Sequence, residues 1–214
     1  MPSRTSRHRS VLWIATRNRG KSREFQNMLG KGWRVCDLHA LPKMREIRET
    51  GRTFLANAKI KALAVSRAMP DQLILADDSG LVVPALGGKP GVRSARFSGP
   101  GATDESNRNK LLKIMLRMPS GRRTAYFQAT LVLARSGRVL GVITGRVWGR
   151  IMNSEQGCGG FGYDPIFQPR GYKQTFGVLS ERIKDRISHR AIAFKGIKRL
   201  LSRSNAQSRA TKHI

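Results

Sequence analysis

An apolar run that ends in two adjacent acids constrains this chain most. Gln72-Leu73-Ile74-Leu75-Ala76 passes directly into Asp77-Asp78-Ser79-Gly80. Leu73 to Ala76 has the length and composition of a buried strand, although so short a run also suits a piece of helix. Asp78-Ser79-Gly80 is turn chemistry. It predicts carboxylates just past the carboxyl end of the strand, where open α/β sheets gather ligands. The pair stands out because acid is scarce: 13 Asp and Glu face 41 Lys and Arg, a formal net charge of +28.

That charge implies attraction to polyanions, whether nucleotides, nucleic acid or an anionic membrane surface. It is concentrated at the ends. Seven basic residues precede the first acid, Glu24, and eight follow the last, Asp185. At 214 residues the chain can bury a real core as one substantial domain or two small lobes. No apolar run approaches the ~18 residues of a membrane helix. Cys36 and Cys158 are the only cysteines, without a CxxC or paired histidines, which excludes a structural zinc site and argues against a disulfide framework. A reducing cytoplasm fits this usage. The Arg/Ser-rich start resembles part of a transit peptide, but apolar Val11 to Ala15 begins a strand almost at once. The expected layout is a basic tail over 1–10, one domain over 11–201, and a polar, basic, disordered tail over 202–214.

Val11-Leu12-Trp13-Ile14-Ala15 reads as a strand. Thr16-Arg17-Asn18-Arg19-Gly20-Lys21 follows, then a helix from about Ser22 to Leu29. Strand, basic glycine-containing loop and helix start form an anion site, with free N–H groups and Lys21 facing a phosphate. An ordinary β–α turn with solvated arginines fits the same residues, and the GxxxxGK[ST] spacing of a P-loop is absent. Thr53 to Met69 reads as a helix capped by Thr53, on which Lys59 and Lys61 cannot share a face. Ala125 to Ala134 and Val139 to Trp148, joined by Ser136-Gly137, predict a β-hairpin and hence a mixed sheet.

Gly157-Cys158-Gly159-Gly160-Phe161-Gly162-Tyr163-Asp164-Pro165 packs four glycines into six residues beside aromatics. It suits stacking on a base, or equally a glycine-rich bend with its rings in the core. Ser188 is the expected N-cap of a helix over about His189 to Leu201. His189-Arg190 there suits a phosphate or a polar base edge, although a lone histidine is more often structural. Carboxylates facing lysines across a nucleotide-sized cleft suggest Mg²⁺-assisted attack of water on a phosphate. Strand alternation lets only one Asp of the pair line the cleft directly, so a second carboxylate is needed, and Glu49 is the candidate.

Seven segments, in order, resemble the inosine/xanthosine triphosphate pyrophosphatase family. They are Ala15 to Lys21, Glu49 to Phe54, Ala76 to Leu81, Leu86 to Gly91, Ser94 to Arg96, Gly159 to Pro165 and Ile187 to Arg190. The resemblance covers about Val11 to Leu201. It implies an α/β fold of the Maf/ITPase-like kind, an elongated mixed sheet flanked by helices with a central nucleotide-binding cleft. It also implies a homodimeric, Mg²⁺-dependent enzyme that hydrolyses ITP, dITP and XTP to the monophosphate and pyrophosphate.

By motif position, Asp78 is the implied proton acceptor and a metal ligand, and Glu49 is its partner ligand. Thr16, Arg17, Asn18, Arg19, Gly20, Lys21, Lys61, Ser79 and Lys184 are implied to hold phosphates and sugar. Phe161, Gly162, Tyr163, Asp164, His189 and Arg190 are implied to hold the base. Two residues depart from the family pattern: Arg17 stands where glycine is usual, and Ala56 where glutamate is usual. The competing readings are a pyrophosphatase for other nucleotides such as dTTP or UTP, and a nucleic-acid-binding protein on an inactive scaffold. The excess of basic charge motivates the second, while low aromatic content and the lack of an RNA-recognition motif count against it.

Overall fold

The sheet grows from a parallel β–α–β start and ends in a long antiparallel hairpin. The computed structural model describes residues 9–210; residues 1–8 and 211–214 of the expected tails lie outside the described residues. β1 (Ser10–Ile14) leads through α1 (Arg19–Leu29) to β2 (Trp33–Asp37), and α2 (Phe54–Ala68) then leads to β3 (Ile74–Val82). α3 (Asp104–Met115) precedes β4 (Thr124–Arg135) and β5 (Arg138–Ile151). β6 (Phe167–Pro169), α4 (Glu181–Ile187) and α5 (His189–Ala210) complete the chain. The six strands lie in the order β2-β1-β3-β4-β5-β6. β1 is parallel to both neighbours and the remaining pairs are antiparallel, so the sheet is mixed as expected.

Each helix lies where its apolar face finds a strand. α1 and α5 cover one face, with Phe25, Phe194 and Ile197 against Leu12, Ile14, Leu75 and Leu131. α2 covers the other, with Ala58, Ala62 and Val65 against Ile74, Ala76 and Val132. Fully burying one such Leu, Ile, Val or Phe contributes ~1.5–3 kcal/mol. Thr53 caps α2 through Ala56 N–H, and the Ser188 hydroxyl accepts from Ala191 N–H at the start of α5. Two helix limits differ from expectation. α1 begins at Arg19, capped by Asn18, so Gly20 and Lys21 lie in its first turn. α5 runs past Leu201 to Ala210, where the sequence predicts a disordered tail.

The acidic stretch differs more. Asp77-Asp78-Ser79-Gly80 is not a turn past a strand end but the middle of β3. Antiparallel pairing with β4 holds all of it, from Ile74 opposite Ala134 to Val82 opposite Tyr126. Gly80 serves close approach rather than a bend: a Cβ there would collide with the Gly91 carbonyl and the Ser94 hydroxyl. β1, by contrast, pairs with β3 only at Trp13–Ile74 and Ile14–Leu75. Beyond Leu75, the edge of β3 that faces β1 is open.

Candidate functional site

Chain order explains why a site forms at that opening. From β1 the chain goes through α1 to β2 on one side, then through α2 to β3 on the other. This is a topological switch point, where α/β sheets hold ligands outside the carboxyl ends of their strands. α1 and α2 pack on opposite faces, so each can send a residue to the same crevice. The last backbone bond from β1 is Ala15 N–H to the Leu75 carbonyl, and the next outward carbonyl of β3, at Asp77, is taken by Lys21 Nζ at 3.4 Å.

Alternation then sends the two acids apart. Asp77 is fully buried on the α1/α5 face, where its Oδ2 lies 3.0 Å from Lys21 Nζ and accepts from Arg190 Nε at 2.9 Å. Ser79 shares that face, donating to Asp77 and accepting from Arg190. Burial works against the Asp77 charge, but Lys21 and Arg190 prevail and hold the carboxyl well below the usual carboxylate range. Burial lowers the pKa of Lys21.

Asp78 faces α2. Its Oδ1 accepts from Lys61 Nζ at 3.2 Å and its Oδ2 from Asn57 at 3.3 Å, and Lys61 also reaches Glu49 Oε1 at 3.2 Å. Here burial outweighs the attraction of Lys61 and Lys21, and the pKa of Asp78 is raised. Lys61 is raised too, because Asp78 and Glu49 overcome its burial. Lys59 is exposed, as the helix spacing predicts.

On the Asp77 face lies a cavity of about 110 Å³, lined by Lys21, Ser79, Phe161, Tyr163, His189 and Arg190 among others. Clefts that hold whole drug-sized ligands run to ~300–1,000 Å³, so this volume suits a single ring system. Phe161 lies under two cations, with Lys184 Nζ 4.6 Å and Arg190 Cζ 5.4 Å from its ring centre. Gly20 makes room for that ring, since a Cβ would come 2.7 Å from Phe161 Cδ1. Buried His189 stacks on Phe127, with ring centres 4.8 Å apart. Burial, reinforced by Arg190, pushes its pKa well down, so the imidazole is neutral. Its Nδ1 has no hydrogen-bond partner among the described residues. Asp164 pairs with Lys184 and accepts from Phe161 N–H, while Gly162 N–H donates to Asp104.

Sequence reasoning missed three members of this region. Glu24 is buried and bridges Lys184, at 2.8 Å, and Arg190. Asp104 and Arg108 of α3 bond the amide and carbonyl of Gly162. The scarcity of acid is the signal that could have found Glu24 and Asp104. Other residues do less than expected. The Arg17 guanidinium turns to the carbonyls of Leu38 and Met44, at 3.2 and 2.9 Å, so its side chain is not available to a phosphate. Arg19 is exposed. Thr16 and Asn18 bond within their own loop, to Asn18 N–H and Lys21 N–H. The Tyr163 hydroxyl donates to the Ser94 carbonyl and its ring joins the core, leaving Phe161 as the accessible aromatic.

Glu49 and Asp78 converge on one cationic position, now held by Lys61. Two carboxylates completed by phosphate and water oxygens is the donor set Mg²⁺ prefers. Among the described residues there is no group of three or more His, Cys, Asp or Glu that could hold a metal unaided. The residues therefore fit an ion that arrives with its substrate.

Known proteins resemble this chain in sequence and in fold. A dITP/XTP pyrophosphatase of Streptococcus thermophilus is 44% identical over 187 residues, 86% of this chain but only 57% of its own length. The chain thus spans little more than half of the streptococcal relatives. It matches a dITP/XTP pyrophosphatase of Halalkalibacterium halodurans over 98% of that protein and 88% of this chain, at 41% identity. The solved Ham1 protein of Staphylococcus aureus superposes with a TM-score of 0.79 at 34% identity, covering 91% of this chain and all of that one. A Mycobacterium abscessus structure described as a nucleoside-triphosphatase or dITP/XTP pyrophosphatase gives 0.70 at 38% identity, covering 87% of this chain and 98% of that one. The Ham1 family profile matches residues 12–200, which run from β1 to α5 and take in both faces of the crevice: the chain belongs to the Ham1 family.

Proposed function

We propose that this protein hydrolyses nonstandard purine nucleoside triphosphates, ITP, dITP and XTP, to the monophosphate and pyrophosphate. The observation that carries the reading is the crevice at the β1/β3 switch point. A buried carboxylate with a raised pKa, Asp78, shares Lys61 there with Glu49, and on the other face of the same strand lies a cavity floored by Phe161 and His189.

The base enters that cavity and stacks on Phe161. A 6-oxo group is an acceptor, which His189 or Arg190 can satisfy as donors, whereas the 6-amino group of adenine leaves the donor unpaired. Lys21, in the first turn of α1, Ser79 and Lys184 hold sugar and phosphates. Asp78 accepts the proton of the attacking water as the bond between the α-phosphate and the departing pyrophosphate breaks. Its raised pKa suits that task, because a base works best with a pKa drawn towards the operating pH. Glu49 and Asp78 would hold Mg²⁺, which when bound neutralises phosphate charge and orients the water. Without cations, the two acids would repel a triphosphate; Lys61 and Lys21 offset them.

Arg17 contributes by fixing the loop over 38–44 rather than by touching phosphate. This reading places a homodimeric enzyme in a reducing cytoplasm. Free Cys36 and Cys158 agree with that compartment, and no described helix is long and apolar enough to cross a membrane. Pyrophosphate release is to be measured across ITP, dITP, XTP, ATP, GTP and dTTP, with and without Mg²⁺. Metal-dependent release from ITP, dITP and XTP is expected, and a preference for dTTP or ATP would reject the purine assignment.

A further inference from the structure

The proposed reaction leaves one large feature unused. On β5 the side chains of Thr144, Arg146, Trp148 and Arg150 point outward on the face opposite α5, and all four are exposed. This face joins a groove of about 1200 Å³ that begins at Thr130, the neighbour of Asp78 across the ladder, and extends through Tyr126 and Arg146. Its basic lining residues are Arg52, Lys89, Arg93, Arg96, Lys110 and Arg146. A second hollow of about 570 Å³ continues it past Trp148, with Arg150, Arg170 and Tyr172.

Trp148 and Tyr126 join the two, their ring centres 4.5 Å apart, and the Arg146 guanidinium lies 5.3 Å from the Tyr126 ring. Trp148 is 43% and Tyr172 37% exposed. Among the described residues, no Asp or Glu lines either hollow, and none of these basic groups has an ion-pair partner.

We propose that this face binds single-stranded nucleic acid. A basic groove tracks a phosphate backbone, and interleaved aromatic rings stack unpaired bases without regard to sequence. Charge complementarity selects the occupant. A two-fold contact with a second copy would set this all-basic lining against itself, and like charges so opposed are unfavourable. A duplex keeps its bases paired and leaves Trp148 and Tyr172 nothing to stack on.

The test titrates the whole chain, by fluorescence anisotropy, into labelled oligothymidylate and oligouridylate of about 16 nucleotides. An unlabelled duplex of the same length serves as competitor. Both single strands bind, more tightly than the duplex, with affinity falling steeply as salt rises. Trp148→Ala weakens binding about tenfold, and Trp148→Phe restores most of it. Arg146→Ala and Arg150→Ala each lower the slope of log affinity against log salt by about one. Pyrophosphate release from ITP stays at the parent level in all of these exposed-site variants, so this proposal and the proposed reaction fail separately.

Unchanged affinity in the Trp148→Ala/Arg150→Ala double variant would overturn the proposal, since the basic ends of the chain would then account for binding. No binding at ~0.1 M salt would overturn it too. So would sedimentation showing that the double variant splits a dimer, which assigns the face to a second copy. Loss of ITP turnover in these variants would assign the groove to the substrate and equally overturn the proposal.

Discussion

The two faces of β3 take neighbouring aspartates in opposite directions. On the α1/α5 face, Asp77 is buried among Lys21, Arg190 and Ser79, and the charges continue through Glu24, Lys184 and Asp164. Acids and bases there are paired with one another, and Lys21, Ser79, Asp164, Lys184 and Arg190 line the cavity on that face. On the α2 face, Asp78 shares Lys61 with Glu49, whose side chain is 30% exposed, so this cluster opens to the crevice. Burial acts on both aspartates, yet only at Asp77 is the opposing charge enough to lower the pKa; at Asp78 burial prevails and raises it. A closed network makes a fixed wall, and an under-neutralised carboxylate makes a base. One strand supplies both because α1 and α2 leave the switch point on opposite faces.

Breaking the closed side is expected to have the largest effect on stability. Asp77→Ala leaves Lys21 and Arg190 buried without their carboxylate and costs ~3–5 kcal/mol, to be read from urea denaturation. The pH dependence of stability sharpens the comparison with a smaller signal. A depressed folded-state pKa means that the Asp77 contribution is complete above the unfolded carboxylate value of ~3.9 and is lost as pH falls through the folded value. Asp78 has the opposite sign: its raised pKa favours folding at low pH and ceases to do so as pH rises through the folded value. Urea titrations across acid pH are therefore expected to lose their steep acid limb in Asp77→Asn and to keep it in Asp78→Asn.

Smaller again is Gly20→Ala, which pushes Phe161 aside. Overpacking of this kind costs ~1–3 kcal/mol and raises KM for ITP more than it lowers kcat. Arg17→Gly is the least disruptive. It removes two bonds to loop carbonyls at ~1–2 kcal/mol in total and leaves KM for ITP within about twofold, because the guanidinium is engaged by the Leu38 and Met44 carbonyls.

Local signals made much of the fold legible. The hairpin follows from alternation around Ser136-Gly137, α2 from its Thr53 cap, and the mixed sheet from the two together. Part of the candidate site was legible as a neighbourhood: Lys61 and Asp78 meet on one face of β3, and Lys21, Ser79, Lys184, His189 and Arg190 line the cavity on the other. What stayed hidden depends on distant partners. Asp-Ser-Gly reads as a turn, yet β4 pairs it as strand, and buried cations on both faces satisfy its acids. Glu24 looks like a polar helix residue until Arg190, 166 positions away, is packed against it. Arg17 looks like part of a phosphate loop because nothing nearby shows that Leu38 and Met44 turn their carbonyls to it. β6, three residues long, has no pattern apart from its pairing with β5.

The split between the two acids is tested most directly by pyrophosphate release from ITP in Asp78→Asn, at saturating Mg²⁺, with stability measured on the same preparation. General-base catalysis is worth ~10²–10⁴-fold. The account predicts a loss of that order in kcat, with folding stability within about 1 kcal/mol of the parent. Turnover preserved in Asp78→Asn, or lost only together with the fold, would contradict it.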